Sequence, residues 1–186
     1  MTHPDDESIL VHEAQRGDRD ALAALHDRHY QAIFTYFALR LDDTALIEDL
    51  TADVFVRMVR KIGTFRTGKK PLLAWLYTIA RNRLTDYYRE QQKESGHLPL
   101  REDLIAAQGS PQRAAEHHLA ADCLRRALRF LTEEQRLVIL GKFVEDRSNV
   151  EMARLLQKTE GSVKSLQHRA LAALRRAIEK EGCYEP

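Results

Sequence analysis

Residues 47–89 decide the fold of this chain of 186 residues. They read IEDLTADVFVRM at 47–58, KIGTFRTGKK at 61–70 and PLLAWLYTIARNRLTDYYR at 71–89. Apolar residues recur at helical spacing in the first and third segments, whereas the second is a short basic segment that contains two glycines. The stretch therefore predicts two amphipathic helices joined by a basic loop.

The net charge changes sign along this part of the chain. Residues 1–53 contain 4 Lys/Arg and 12 Asp/Glu, a net charge of −8, whereas residues 57–93 contain 10 Lys/Arg and 2 Asp/Glu, a net charge of +8. The total charge of +1 hides this polarity. A basic, aromatic-rich segment beside an acidic one favours contact with nucleic acid on one side and with a protein on the other. Two helix faces that contact only solvent would give the same charge pattern.

Composition and cysteine usage narrow the class of protein. With 44% hydrophobic and 31% charged residues, the chain is typical of a globular protein of one domain or two small ones. It has no apolar run long enough for a membrane span and no signal peptide, which predicts a cytoplasmic protein without membrane contact. Cys123 and Cys183 are far apart and form no CxxC motif, which predicts free thiols in a reducing compartment.

Helical signals cover the first half of the chain. Helices are predicted at about 8–16, at about 18–40, at about 44–61 and from Pro71 onward. Gly17 ends the first of them, because glycine is favoured just beyond a helix. Within the fourth helix the polar side chains share one face, opposite the apolar stripe. They are Thr78, Arg81, Asn82, Thr85 and Arg89, bordered by Tyr77, Tyr87 and Tyr88.

The second half begins after a break in the helical pattern at 91–110. A helix is predicted at about 111–130, and capping boxes at 132–135 and 148–151 open two more. A turn at 157–159 leads to a last helix to about Glu179. The sequence thus predicts an all-α fold of two small helical domains joined by a flexible linker, with limits at 1–93, 94–112 and 113–186.

The last two predicted helices fit a helix-turn-helix. Met152, Ala153 and Leu156 are predicted to face inward from the first, and Val163 and Leu166 from the second. Residues that would project outward from the second helix are Ser162, Lys164, Ser165, His168 and Arg169. Such a helix can enter the major groove of DNA, although an ordinary helical hairpin with a basic outer face would look the same.

Several of these motifs together resemble a known family. They are EDLT at 48–51 with VF at 54–55, AWLYTIARN at 74–82 followed by DY at 86–87, LTEEQR at 131–136, GSVKS at 161–165 and HRA at 168–170. In this order they resemble regions two and four of a group IV, or extracytoplasmic-function (ECF), sigma factor of bacterial RNA polymerase, a member of the sigma-70 family. Two separate matches in the right order are more specific than either motif alone.

The resemblance implies a function and a set of sites. The chain would be an alternative-type sigma factor that binds core RNA polymerase, recognises promoter DNA and melts it, without catalysis, cofactor, metal or small-molecule substrate. It would dock on the clamp helices of the largest polymerase subunit through Asp49, Leu50, Asp53 and Arg57, and lie near the flap of the second largest. An anti-sigma factor wedged between its two domains is a further predicted partner.

The resemblance also assigns the two DNA surfaces. The −10 element would be bound as a single strand by the basic loop and the fourth helix, through Phe65, Arg66, Lys69, Lys70, Tyr77, Arg81, Asn82, Thr85 and Arg89. Trp75 is a further candidate for stacking on a base, although it more resembles a core residue. The −35 element would be read as duplex by Ser162, Lys164, Ser165, His168 and Arg169.

The chain departs from the family's pattern at a few positions. Ala52 stands where the family usually has Gln, and Val59 where it often has Trp, so polymerase docking is expected to differ in composition. Gln157 stands where glycine is usual in the turn, which predicts a residue with positive φ at a cost of about 1 kcal/mol. Lys158 replaces an apolar residue and must extend to solvent. The order Leu166-Gln167 reverses the usual basic–apolar order.

Two other classes of protein remain open on the residues alone. One is a DNA-binding regulator that does not replace sigma, for which residues 47–89 would have no special role. The other is an all-helical metal-dependent hydrolase. Its candidate ligands are the pairs His26/His29 and Asp49/Asp53 and the group His117, His118 and Cys123, none of which has the spacing of a structural zinc site.

Overall fold

The computed structural model describes residues 4–94 and 122–182, and every regular element in these ranges is helical. The predicted all-α fold is confirmed. The chain divides into two compact units, residues 1–99 and 100–186. Residues 95–112 of the predicted linker, and the helix start predicted at about 111, lie outside the described residues. No described helix is both long enough and apolar enough to cross a membrane.

The described part of the first unit, residues 4–94, contains four α-helices, and the second of them touches the other three. They are α1 (Pro4–Gln15), α2 (Arg19–Ala38), α3 (Thr44–Lys61) and α4 (Leu72–Glu94), with a 3₁₀ turn at Ile62–Thr64. Helix α1 begins at Pro4 rather than near residue 8, since proline suits a first helical turn. Asp18 and Asp43 cap α2 and α3, and each side chain accepts a hydrogen bond from the backbone of the first turn.

The core of the first unit forms where the apolar faces of the helices meet. Its most deeply buried side chains have less than 2% of their surface exposed: Val11, Leu25, Ile33, Tyr36, Phe37, Val54, Met58, Leu72, Leu76 and Ala80. Complete burial of a large apolar side chain contributes about 1.5–3 kcal/mol. Because the stripes predicted on α3 and α4 are the buried ones, the opposite faces of both helices are left exposed.

Glu7 connects three helices of this unit. Its Oε1 atom accepts a hydrogen bond from the backbone N–H of Leu72 (3.3 Å), and its Oε2 atom lies 3.6 Å from Nε2 of His29, which is 5% exposed. Burial alone would raise the pKa of Glu7. The neighbouring His29 imidazole and the N–H of Leu72 outweigh it and hold this pKa below its usual value.

The second unit is built around its last helix. Residues 122–129 are helical (α5), and α6 (Glu133–Ile139) continues into a π-helical turn, Leu140–Val144, followed by α7 (Asn149–Leu156) and α8 (Glu160–Lys180). Helix α8 packs against α6 and α7.

Both predicted capping boxes are confirmed. Thr132 pairs reciprocally with Gln135, and Ser148 with Glu151. In the second box, hydrogen bonds from the hydroxyl and the backbone N–H of Ser148 to the Glu151 carboxylate hold the pKa of Glu151 below its usual value. Each box satisfies backbone donors that a helix otherwise leaves unpaired at its N-terminus.

Tight packing joins the π-helical turn to α7. A Cβ added at Gly141 would lie 2.2 Å from Sδ of the fully buried Met152, so a larger residue here would displace the Met152 side chain. Met152, Ala153, Val163 and Leu166 are buried as predicted. The prediction that Leu156 faces inward is wrong, because Leu155 is the buried residue and Leu156 is half-buried.

The prediction of free thiols is also wrong. Cys123, on α5, is 7% exposed and is disulfide-bonded, and the described residues contain no free cysteine. The chain has one other cysteine, Cys183, which lies outside the described residues. Sequence spacing could not reveal this bond, because disulfide formation depends on the geometry of the folded chain.

The lowered pKa of Glu7 predicts a pH-dependent stability. A carboxyl group whose pKa is lower in the folded state stabilises the fold above its unfolded pKa, and this contribution is lost as the pH falls through the folded value. We expect Glu7→Gln to reduce the free energy of unfolding by about 1–2 kcal/mol at neutral pH. The difference from wild type should shrink as the pH falls below about 4.

Urea unfolding followed by fluorescence measures this effect, because Trp75 is the only tryptophan and lies in the first unit. The matched control is Glu13→Gln on the same helix. A difference between wild type and Glu7→Gln that stays constant over the acidic range would show that the ionised form of Glu7 contributes nothing.

Candidate nucleic-acid interface

The turn between α7 and α8 orients the last helix. Gln157 has φ 54° and ψ 45°, the left-handed conformation predicted from its position, and ends α7. The backbone N–H of Lys158 then donates to the Ala153 carbonyl (2.9 Å). Thr159 caps α8 by accepting from the backbone N–H of Ser162 (3.2 Å). These local bonds set the direction in which α8 leaves the turn.

Lys158 extends toward solvent, as predicted. Its Nζ atom lies 3.0 Å from Oε1 of Glu134 on α6, and about a third of its side chain is exposed. The pair ties the turn to α6, so the unit accommodates a charged residue at this position without burying its charge.

The outer face of α8 carries the predicted −35 residues. All five are exposed: Ser162, Lys164, Ser165, His168 and Arg169. An open cleft of about 460 Å³ lies at the start of this face, and it is lined by Glu134, Lys158, Thr159, Gly161, Ser162, Ser165, Leu166 and Arg169. Cations, hydroxyls and a helix N-terminus are the groups that bind DNA phosphates and base edges.

The polar stripe of α4 is also exposed. Arg81, Asn82, Thr85 and Arg89 lie at its surface, and the Thr85 hydroxyl donates to the Arg81 carbonyl (2.9 Å). In the loop before α4, Arg66 and Lys69 are exposed and Lys70 is half-buried. The loop and the stripe together form a basic, polar surface on the first unit.

Two aromatic residues assigned to this surface lie in the core instead. Phe65 is 8% exposed and packs on the half-buried Trp75 (5.2 Å between ring centroids), and Tyr77 is 5% exposed and packs on Tyr36 (5.5 Å). Neither Phe65 nor Tyr77 presents a ring face to a base in this conformation. Their apolar neighbours in α4 and α2 draw them inward, which residue type alone did not reveal.

Tyr88 is the exposed aromatic residue beside the stripe. It is 38% exposed and lies seven residues after Arg81 and three after Thr85, which puts it on the same helical face. Its ring is 5.5 Å from that of Tyr87. The spacing from Arg81 was the sequence signal that would have singled out Tyr88.

The start of the basic loop is held by a residue to which sequence reasoning assigned no role. Nε2 of Gln15, at the end of α1, donates to the carbonyls of Ile62 (3.0 Å) and Phe65 (2.8 Å). These partners are 47 and 50 residues away along the chain, so no local pattern could have identified them.

Helix α3 carries the predicted polymerase-docking residues, but they do not all lie on one exposed surface. Asp49 is exposed, whereas Leu50 is a core residue with 2% of its surface exposed. Asp53 lies at the seam with α4, where its Oδ2 atom is 2.6 Å from Nε of Arg83 and 3.3 Å from Nε of Arg57. Arg57 also lies 3.7 Å from Asp86.

The outward face of α3 is partly apolar. Val56 and Val59 are 45% and 49% exposed, and they follow the exposed Asp49 and Ala52 at helical spacing. Exposed apolar side chains beside charged ones are typical of a surface that binds another protein. Sequence reasoning noted Val59 and missed Val56, although the position of the buried stripe implies that both point outward.

The candidate metal ligands that the structure describes do not converge. Within residues 4–94 and 122–182 there is no group of three His, Cys, Asp or Glu side chains that could hold a metal ion. His26 packs on Phe55 (4.5 Å between ring centroids), and His29 is buried beside Glu7. His117 and His118 lie outside the described residues.

Comparison with known proteins matches both units. The family model for Sigma-70 region 2 matches residues 25–94, and that for Sigma-70 region 4 matches residues 121–174. The chain is 33% identical over 173 residues to the ECF RNA polymerase sigma factor BldN of Streptomyces coelicolor (91% of this chain, 64% of BldN). It is 30% identical over 160 residues to SigX of Bacillus subtilis, another ECF RNA polymerase sigma factor (83% of this chain, 82% of SigX).

A solved structure has a similar fold. The sigma factor RpoE of Bartonella quintana, in complex with the anti-sigma factor NepR, is 22% identical to this chain, with a TM-score of 0.54. The match covers 84% of this chain and 96% of RpoE.

A helical unit matching region 2 and a helix-turn-helix unit matching region 4 define a sigma factor of the sigma-70 class. The chain belongs to the ECF RNA polymerase sigma factors. The resemblance drawn from its sequence motifs is confirmed.

Proposed function

We propose that this chain binds core RNA polymerase in the cytoplasm and directs it to a subset of promoters, without a catalytic role of its own. One observation carries the proposal: the residues that match regions 2 and 4 fold into units whose exposed faces are suited to bind protein and DNA. The core of each unit uses the opposite faces of the same helices. The chain spans 64% of the length of BldN, and the proposal concerns only the matched regions.

The outward face of α3 is the proposed docking surface for the clamp helices of the largest polymerase subunit. Asp49, Ala52, Val56 and Val59 form it, with an acidic end and an apolar centre. Leu50 is left out because it is buried. Asp53 and Arg57 lie at the edge of this surface, where they form ion pairs with α4.

A second polymerase contact is proposed on the other unit. Phe143 and Val144, in the turn after α6, and Val150, at the start of α7, are 57%, 55% and 43% exposed. Three exposed apolar side chains within eight residues suit a protein partner better than DNA. The polymerase flap is the partner proposed for them.

The exposed surface of α4 and the basic loop are proposed to hold the melted −10 strand. Single-stranded nucleic acid is bound by cations that contact the backbone and by aromatic rings on which bases stack. Arg66, Lys69, Arg81 and Arg89 supply cations, and Tyr88 supplies the exposed ring. Phe65 and Tyr77 are assigned to the core that supports this surface.

The outer face of α8 is proposed to read the −35 element as duplex. A recognition helix enters the major groove with its N-terminal residues against base edges. Ser162, Lys164 and Ser165 occupy that part of α8, and His168 and Arg169 lie about one turn beyond Ser165.

An anti-sigma factor is proposed as a regulatory partner. The similar RpoE structure contains the anti-sigma factor NepR, and the apolar side chains proposed to meet polymerase are exposed here. A protein that covers them would block docking by direct competition. Purification of the chain from its host should therefore yield a stoichiometric protein partner. If the chain is always purified alone, and the cells keep it active at all times, this part of the proposal is contradicted.

The docking surface predicts the effect of Val59→Asp. Placing an unpaired carboxylate at the centre of an apolar contact should weaken binding to core polymerase at least about tenfold. The measurement is run-off transcription with bacterial core polymerase and promoter fragments from the host genome, beside a direct binding assay with core polymerase.

Ile9→Asp is the matched control, because Ile9 is exposed (57%) on α1 of the same unit. Wild-type transcripts that disappear with Val59→Asp and persist with Ile9→Asp would support the docking surface. A wild-type protein that binds duplex DNA but initiates no transcription would instead identify a regulator that does not replace sigma.

The proposed −10 surface predicts a separate effect of Tyr88→Ala. Loss of base stacking costs about 1–3 kcal/mol, so binding of the reconstituted holoenzyme to a promoter with a pre-melted −10 region should weaken about tenfold. Tyr88→Phe retains the ring and should bind as the wild type does. If Tyr88→Ala binds this promoter as tightly as the wild type does, Tyr88 does not belong to the proposed −10 surface.

A further inference from the structure

Helix α1 contacts both ends of the basic loop, residues 63–70. At the start of the loop, Nε2 of Gln15 donates to the carbonyls of Ile62 and Phe65 (3.0 and 2.8 Å). Just beyond its end, Oε1 of Glu7 accepts from the backbone N–H of Leu72 (3.3 Å). All three bonds are partly buried and join residues 47 to 65 positions apart.

Glu7 and Gln15 are spaced along α1 so that this one helix reaches both ends of the loop. Glu7 and Gln15 are eight residues apart, which is about 12 Å along a helix. Between them Val11 and Ala14 are 1% and 3% exposed, so the helix itself is packed into the core. Arg28 of α2 adds an ion pair to Asp6 (2.8 Å) at the same end as Glu7.

The basic loop needs contacts of this kind to fix its conformation. It contains two glycines, one of which, Gly68, has φ +85°, a conformation that other residues rarely adopt. Its cations Arg66 and Lys69 are exposed. A loop that must be ordered on binding loses affinity through conformational entropy, whereas one held in its bound shape does not.

We propose that α1 is a positioning element for −10 recognition, in which Gln15 and Glu7 fix the two ends of the basic loop. This proposal rests on the function proposed above, since it assigns the loop to the melted strand. Gln15 and Glu7 bond to backbone atoms within the loop and at its two flanks, so they act through the loop and not as DNA contacts of their own.

The test uses Gln15→Leu in the full chain, assembled with bacterial core polymerase. The probe is a pool of single-stranded DNA of random sequence, from which bound molecules are recovered and sequenced. We expect Gln15→Leu to bind the sequences selected by wild type about tenfold more weakly and to select a less defined motif. Affinity for core polymerase and for duplex −35 DNA should be unchanged.

Hydrogen exchange on the same proteins supplies a readout of loop position. The N–H of Phe65 donates to the Ile62 carbonyl (3.0 Å), and this amide should exchange faster in Gln15→Leu. Gln31→Leu is the matched control, because Gln31 is exposed on α2 and hydrogen-bonds to Thr35 of the same helix rather than to the loop. It should change neither exchange nor DNA selection.

Two further variants keep the test decisive if Gln15→Leu fails to fold. Gln15→Glu preserves size but removes the donors, and it should reproduce the loss of binding. At the other end, Glu7→Gln retains an acceptor for the Leu72 N–H and should bind DNA more tightly than Glu7→Leu.

The outcomes separate the two proposals. Folded Gln15 variants that bind and select single-stranded DNA as the wild type does would overturn the positioning role, whether or not loop exchange increases. A wild-type holoenzyme that selects no sequence would overturn the proposed −10 function itself, and the positioning role with it.

Discussion

Burial of α2 by the other three helices of the first unit is the constraint on which the rest of that unit depends. Ile33, Tyr36 and Phe37 are fully buried, and side chains from α1, α3 and α4 complete the same core. Once this core forms, the rotation of α3 and α4 about their axes is fixed, because each has one apolar face. The remaining faces then point outward with opposite character, acidic and apolar on α3 and basic on α4.

Ion pairs at the seam between α3 and α4 connect the acidic and basic segments of the sequence. These segments therefore do not form two independent surfaces. Asp53 of α3 lies within ion-pair distance of both Arg57 and Arg83, and Arg57 reaches Asp86 of α4. Half-exposed ion pairs contribute about 1 kcal/mol or less each. Their importance is therefore geometric: they align α3 with α4, and they leave Asp49 as the exposed acidic residue among those assigned to docking.

The second unit shows how a helix-turn-helix tolerates unusual residues at its turn. Gln157 adopts a left-handed conformation at a cost of about 1–2 kcal/mol, and Lys158 avoids burial by pairing with Glu134. Two capping boxes and the close packing of Gly141 on Met152 stabilise the surrounding helices. The residues around the turn thus accommodate Gln157 and Lys158, while the outer face of α8 keeps its exposed polar side chains.

The sequence by itself determined the all-α class, most helix limits, both capping boxes, the inward faces of α3 and α4, and the family. These are local signals, since a cap acts over three or four residues and an apolar stripe repeats within two turns. Only the tertiary structure decided that Phe65 and Tyr77 are core residues, that Cys123 is disulfide-bonded, and that Gln15 and Glu7 hold the basic loop. Each of these depends on contacts that form when the helices pack together, and no local pattern encodes such a contact.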